Sequence, residues 1–147
     1  METETTDPLS VNPTANARPG RPGRRPLVLV VDDDRDARVI YRQYLRAMGC
    51  RVVTASDGAL AIEKATRWRP DVIVMDLTMP HVDGWTATKR LRQLRDTRHI
   101  PIVALTAAPM ARRSAHAAGC DAFLAKPCLP ELLWWEVRAL LNDRPEK

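Results

Sequence analysis

The chain has 147 residues, room for one domain of ordinary size, and the expectation from length is that no second catalytic or DNA-binding domain accompanies it. Lys and Arg number 23 against 18 Asp and Glu, a net charge of +5, which permits an acidic partner or nucleic acid without demanding either. Hydrophobic residues make up 45% of the chain with few aromatics, and no apolar run approaches the roughly 18 residues of a membrane helix, so the composition is that of a soluble protein with an aliphatic core and no membrane partner. Cys50, Cys120 and Cys128 are odd in number, scattered and without C-x-x-C spacing. That pattern argues for a reducing compartment and against a disulfide framework or a zinc site, and all three read as buried or neutral thiols.

Residues 1–26 hold Pro8, Pro13, Pro19, Pro22 and Pro26 together with Arg18, Arg21, Arg24 and Arg25, and carry no periodic apolar pattern. The segment reads as a disordered tail. It opens on acidic METETTD and has no signal-peptide apolar stretch, so a cytoplasmic location is expected. Its GRPGRR stretch could hold a phosphate backbone, but it has no aromatic for base stacking and is not a phosphate-binding loop motif. Nucleic acid is therefore not the favoured partner.

From residue 27 the pattern changes. LVLVV at 27–31 is a short apolar run, rich in Val, that ends in acid and suits a strand buried on both faces. Ala37, Ile40, Tyr41, Tyr44, Leu45 and Met48 fall on one helical face, stopped by Gly49. The alternation continues with RVVT at 51–54, a helix from Asp57-Gly58 through Leu60 to Trp68, and DVIVM at 71–75. A helix containing Trp85, Leu91 and Leu94, PIVALT at 101–106, a helix around Met110 to Ala118 closed by Gly119, AFLA at 122–125 and a helix from Pro130 to Leu141 complete five βα units. Strands alternating with helices over short connections imply right-handed crossovers and a parallel sheet covered on both sides, the doubly wound α/β class.

In such sheets the functional crevice lies beyond the carboxyl ends of the strands. The first strand ends in Asp32, Asp33 and Asp34, the third in Asp76, the fourth in Thr106, and the fifth in Lys126-Pro127. Grouped carboxylates repel unless a cation lies between them, and hard oxygen ligands of this kind suit Mg²⁺ with a phosphate oxygen completing the shell. The hydroxyl and the ammonium would supply donors to a phosphoryl group, leaving one carboxylate to attack in line. Asp34, Asp57 and Asp83 read instead as helix N-caps. His81, His99 and His116 lack metal-ligand spacing and read as surface residues.

These residues carry a resemblance. VVDDD at 30–34, VIVMDLTMPHVDG at 72–84, ALTA at 104–107 and AKP at 125–127, in order and in register over about residues 27–142, resemble the receiver domain of two-component response regulators in bacteria, of the stand-alone, chemotaxis-regulator-like kind. The resemblance implies a flavodoxin-like sheet of order 2-1-3-4-5, with 1–26 and 143–147 as tails. It implies a phosphoryl group taken from a phosphohistidine of a sensor histidine kinase or histidine phosphotransfer protein onto Asp76. Asp32, Asp33, Asp76 and the backbone carbonyl of Thr78 would bind Mg²⁺, Thr106 would serve as the switch hydroxyl, and Lys126 would pair with the phosphoryl group. Lys126-Pro127 would be a cis peptide, and Pro80 and Gly84 would shape the acceptor loop. No external substrate would be turned over, the only chemistry being the chain's own phosphorylation and dephosphorylation.

Several positions depart from the common pattern. Phe123 stands where many receivers carry a Tyr or Phe that changes rotamer, and without a hydroxyl it can report the switch only through packing. Thr78 and Ala108 occupy two positions that influence hydrolysis of the aspartyl phosphate in the family, and neither would readily orient an attacking water. Slow self-hydrolysis is the expectation. Cys128 replaces a usual bulky apolar residue, with no specific function assigned. In the last helix Leu133, Val137, Leu140 and Leu141 make the inward stripe, leaving Leu132, Trp135 and Ala139 on another with Trp134 flanking it. Trp135, with Arg112 and Arg113 as a basic edge, is expected on the face of fourth helix, fifth strand and last helix that reads out phosphorylation in the family, binding a downstream protein or a second copy of the chain; the competing reading packs one or both Trp inward.

Only six residues follow Leu141, so the chain is expected to act without an output domain, as a binding module or a phosphate relay. A rival enzyme reading takes Asp32-x-Asp34 as the D-x-D of a haloacid-dehalogenase-like, Mg-dependent phosphatase. It leaves Asp76 unexplained and meets Arg35 where Thr or Val is usual. An unphosphorylated scaffold receiver is the third reading.

Overall fold

A computed structural model describes residues 24–79, 82–107 and 112–143 of the chain. Among the described residues five short strands alternate with five helices. They are β1 (Leu27–Val31), α1 (Arg35–Ala47), β2 (Arg51–Ala55), α2 (Gly58–Trp68), β3 (Val72–Asp76), α3 (Gly84–Gln93), β4 (Ile102–Thr106), α4 (Arg112–Ala118), β5 (Ala122–Ala125) and α5 (Pro130–Asp143). All strand pairs are parallel and the sheet order is β2-β1-β3-β4-β5. This is the doubly wound, flavodoxin-like α/β fold expected from the alternation.

The apolar runs become strands because both faces of the sheet are covered. Leu29 and Val31 of β1 point into one cluster with Ala61 and Ala65 of α2, Ala87 and Leu91 of α3, and Ala115 of α4. Val28 and Val30 point the opposite way, against Tyr41 and Leu45 of α1 and Leu133, Trp134, Val137 and Leu141 of α5. Each fully buried Val or Leu among these contributes about 1.5–3 kcal/mol. β1, β3 and β4 are buried along their whole length, whereas the edge strands β2 and β5 are partly exposed.

The helix starts follow the caps read from sequence. Asp34, Asp57 and Asp83 accept from the backbone N–H groups of Asp36, Leu60 and Thr86 at 3.0, 2.8 and 2.8 Å, each satisfying a donor the helix leaves open. α1 is closed by Gly49 at φ 98°, and α4 by Gly119 at φ 112°, both conformations suited to glycine.

Boundaries and faces differ from the expectation at several points. β3 begins at Val72, because the Asp71 carboxylate instead accepts from the Leu27 N–H at 2.8 Å and pins the start of β1. β4 begins after Pro101, whose carbonyl accepts from the Ile73 N–H at 2.9 Å. β2 runs one residue longer, to Ala55, and α5 continues to Asp143. The described part of α4 starts at Arg112, the expected start near Met110 lying outside the described residues. Ile40, assigned to the inward face of α1, is 51% exposed; it lies 100° from Tyr41 around the helix, and the narrow stripe facing the sheet is filled by Tyr41 and Leu45. Trp134 is buried against the sheet rather than flanking an exposed stripe, and Leu140 is only partly buried.

Candidate phosphoryl-acceptor site

Three strand ends converge at the carboxyl edge of the sheet. β1 delivers Asp32 and Asp33, and β3, its hydrogen-bonded neighbour, delivers Asp76. Carboxylate oxygens of these three residues all lie within 4.8 Å of one another. Asp32 and Asp76 are buried while Asp33 is exposed, so the cluster has a floor closed to solvent and one open flank. Backbone donors orient the two buried acids. Asp32 Oδ1 accepts from the Asp34 N–H at 2.9 Å and Asp76 Oδ1 from the Thr78 N–H at 3.0 Å.

Lys126 follows β5 and closes the cluster. Its ammonium donates to Asp32 Oδ2 at 2.9 Å and to Asp76 Oδ2 at 3.3 Å, and it is followed by a cis peptide to Pro127, as the resemblance implied. The Lys126 N–H donates to the Thr106 carbonyl at 2.9 Å. That bond fixes the end of β4 against the lysine, and Thr106 itself is buried at the strand terminus.

The electrostatics follow from this crowding. Burial first, then the Asp32 charge, push the Asp76 carboxyl up to about 6, against the opposing pull of the Thr78 N–H and Lys126. Burial alone would lower the Lys126 pKa, but the hydrogen bond and charge of Asp32, followed by those of Asp76, outweigh it and hold the ammonium above its ordinary value. Three carboxylates facing one ammonium leave an excess of negative charge with oxygen donors only, a set that fits a small hard divalent cation. Asp32, Asp33 and Asp76 are the residues that could hold it.

Gly84 lies against the end of β3. A Cβ placed there would stand 2.1 Å from the Asp76 carbonyl oxygen and 2.6 Å from the Leu77 Cα, so only glycine lets α3 start this close to the acid. Pro80, His81 and Ala108 lie outside the described residues.

Some positioning residues have no strand-end signature. Arg38, in α1, donates to the Asp32 carbonyl at 2.8 Å, and Tyr41 donates its hydroxyl to the Cys128 carbonyl at 2.9 Å, bracing the loop after Lys126. Burial, then the neighbouring Cys128, push the Tyr41 phenol up to about 12. The sole sequence signal for Arg38 is a long cation one turn beyond the Asp34 cap; Tyr41 reads only as core. Cys50 and Cys120 are buried and Cys128 partly so, and burial raises all three thiols above their ordinary values.

The remaining predicted residues lie away from the acids. Phe123 is half-buried in β5 with the Arg112 guanidinium 5.1 Å from its ring centroid, so a basic residue already covers the expected switch residue. Arg113 is exposed, and Trp135 is 68% exposed beside Leu132 at 46%. Asp34 does not enter the cluster as a second chemical acid: its carboxylate is engaged in capping α1. His99 and His116 are exposed.

Comparison with known proteins gives the same reading at family level. Residues 28–138 match the family model described as the response regulator receiver domain. The transcriptional regulatory protein PrrA of Mycobacterium tuberculosis is 40% identical over 121 residues, covering 81% of this chain and 51% of that protein. The chain thus spans about half the length of such relatives. The polar-differentiation response regulator DivK of Brucella anthropi is 33% identical over 118 residues, covering 79% of this chain and 96% of that protein. Among solved structures, the receiver domain of sensor histidine kinase PA1611 from Pseudomonas aeruginosa, described with a magnesium ion coordinated in the active-site cleft, superposes with a TM-score of 0.74 at 32% identity, covering 80% of this chain and 98% of that one. With the acid cluster, the lysine that closes it and a family match over most of the chain all in agreement, this protein belongs to the response regulator receiver domain family.

Proposed function

We propose that the chain takes a phosphoryl group from a phosphohistidine of a histidine kinase or histidine phosphotransfer protein onto Asp76, and signals through a protein-binding surface that depends on that modification. The observation that carries this reading is the buried Asp76 carboxylate, set within 4.8 Å of Asp32 and Asp33 oxygens and capped by Lys126. In the transfer, an Asp76 oxygen forms a bond to phosphorus as the phosphorus–nitrogen bond breaks, and the electron pair leaves on the imidazole nitrogen, which takes up a proton. Lys126 lies where it can exchange its pairing with Asp76 for the incoming phosphoryl oxygens, and Thr106 adds a hydroxyl at the neighbouring strand end. Bound Mg²⁺ would neutralise the three acids and polarise the phosphoryl group; the oxygen-only donor set and the magnesium reported for the PA1611 receiver support it.

The receiver unit is taken as residues 27–143, one residue beyond the expected end because α5 runs to Asp143, with 1–26 and 144–147 flanking it, working in the cytoplasm of a bacterial cell. The unpaired cysteines agree with a reducing compartment, and among the described residues no helix is long and apolar enough to cross a membrane. The readout face comprises Phe123, Arg112, Arg113 and Trp135, and its partner is a downstream protein or a second copy of the chain. The D-x-D phosphatase reading is disfavoured by Asp34, whose carboxylate caps α1.

The test is the intact mass after incubation with Mg²⁺ and acetyl phosphate. The wild type is expected to gain one phosphoryl group and Asp76→Asn none. Labelling that survives in Asp76→Asn but is lost in Asp32→Asn would turn the reading toward the phosphatase. A folded, Mg²⁺-binding wild type that gains nothing from either acetyl phosphate or a phosphorylated kinase would leave the unphosphorylated scaffold.

A further inference from the structure

The opposite end of the sheet, where the strands begin, carries a feature that phosphoryl transfer does not use. A hollow of about 790 Å³ is lined by Arg24, Arg67, Trp68, Arg69, Arg95 and Arg98, a size in the range of small-ligand pockets. Five arginines therefore face two carboxylates there, and neither carboxylate offsets them fully. Asp71 is buried and accepts from the Leu27 N–H. Asp96 pairs with Arg69 at 3.2 Å, but both side chains are about half exposed or more, and a surface pair of that kind exchanges readily for another anion.

Helix ends account for only part of this charge. Arg67 is in the last turn of α2, where a cation offsets the helix dipole. Arg24 arrives from the segment before β1, and Arg95 and Arg98 from the α3–β4 connection, so with the end of α2 three separate stretches of chain supply the cluster. Arg69 is the C-cap of α2, at φ 49° and ψ 65°, the left-handed conformation in which many helices end.

The aromatic is the second component. Trp68 is 49% exposed, and the Arg67 guanidinium lies 5.1 Å from its ring centroid. The arginine-rich stretch before β1 has no aromatic of its own, and the fold places Trp68 and Arg24, a member of that stretch, in one hollow. Arginines for a backbone and an aromatic surface for a base are the two parts of a sequence-tolerant single-strand site.

We infer that this basic pole binds single-stranded nucleic acid, with a base stacked on Trp68 and phosphates held by Arg24, Arg67, Arg69, Arg95 and Arg98. The site is at the amino-terminal edge of the strands, remote from Asp76, and does not depend on phosphorylation.

The test uses the full chain and a fluorescein-labelled single-stranded oligonucleotide of mixed sequence, followed by anisotropy across a salt series. Binding is expected to weaken with salt, with a log–log slope of about −0.7 for each phosphate neutralised. Trp68→Ala should weaken it about tenfold or more, the loss of one stacked base, and Arg69→Glu with Arg98→Glu should remove it and flatten the slope. Near-ultraviolet circular dichroism establishes that each variant is folded. No binding at low salt would overturn the proposal. So would tighter binding to duplex than to single strand, equal affinity for a mononucleotide, or affinity unchanged in Trp68→Ala and matched by heparin, which would reduce the pole to unspecific charge.

Discussion

Asp76 carries a cost that the proposed phosphoryl transfer would explain. Its carboxyl is pushed up to about 6 by burial and by Asp32, against a value of 3.8 in an unfolded chain. A carboxyl raised on folding destabilises the native state when ionised, so the cost is present in full above about pH 6 and vanishes as pH falls below the unfolded value. In the presence of a chelator, Asp76→Asn is therefore expected to raise stability by on the order of 1–3 kcal/mol near neutral pH, and the gain should shrink toward zero near pH 4 in denaturant melts. Lys126→Ala should have the opposite sign at neutral pH, because it strips the compensating charge from two buried acids. A fall in stability from Asp76→Asn at pH 7 would show that the Thr78 and Lys126 contacts outweigh the crowding. At the same scale, Thr78 is exposed beside the acceptor and offers no acid or amide to orient water. Labelled protein in Mg²⁺ is expected to keep its phosphoryl group well beyond seconds, and Thr78→Asn to shorten that lifetime, both read by mass against time.

At the scale of elements, α5 separates two adjacent tryptophans by one helical step. Trp134 is 5% exposed in the α1/α5 core and Trp135 is 68% exposed beside Leu132. Trp134→Ala should cost about 3–5 kcal/mol of stability, as large-to-small core changes do. Trp135→Ala should leave stability within about 0.5 kcal/mol while weakening association on that face, measured by sedimentation of the phosphorylated chain with and without its partner. Unchanged association would remove Trp135 from the readout face. The start of α3 sets a second constraint: Gly84→Ala forces a Cβ to 2.1 Å from the Asp76 carbonyl. The acceptor strand must move, with an expected cost of about 1–3 kcal/mol and slower labelling by acetyl phosphate than in wild type.

These elements also mark how far the sequence can be read. Strands β1, β3 and β4 were legible because burial on both faces makes them unbroken apolar runs, and the caps Asp34, Asp57 and Asp83 because each precedes a helical stripe. The acids and Lys126 were legible because a parallel sheet gathers its strand ends on one edge. Ile40 and Trp134 were misplaced because a helical stripe fixes a direction only to about one residue, and whether a neighbour is covered depends on which helix packs beside it. Arg38, Arg92 and the basic hollow were invisible as groups: Arg38 and Arg92 bind backbone carbonyls, which every sequence contains, and Arg92 and the hollow draw on segments distant in the chain.

For the whole molecule, the two ends of the sheet have opposite character, acids with one lysine at the carboxyl edge and arginines at the amino edge. A further arginine ties the β4–β5 side together between them. Arg92, on α3, donates to the carbonyls of Gly119, Arg98 and Ile100 at 2.9, 2.9 and 2.6 Å, and to Asp121 at 2.7 Å. Asp121 in turn accepts from the Ile102 N–H at 2.9 Å, where β4 begins. One guanidinium thus satisfies carbonyls from the α3–β4 connection and the end of α4, and a Cβ at Gly119 would approach its side chain to 2.7 Å. Arg92→Ala leaves partly buried carbonyls without their donor, and the expected cost is about 2–4 kcal/mol. Arg92→Lys should recover little of it, since one ammonium cannot span the fork that a guanidinium fills. Because Arg92 touches none of Asp32, Asp33 and Asp76, the folded variant should still be labelled on Asp76 at the wild-type rate below its melting transition. Loss of labelling in a folded Arg92→Ala protein would mean that the β4–β5 edge, through Thr106 and Lys126, depends on this clamp for the geometry of the site itself.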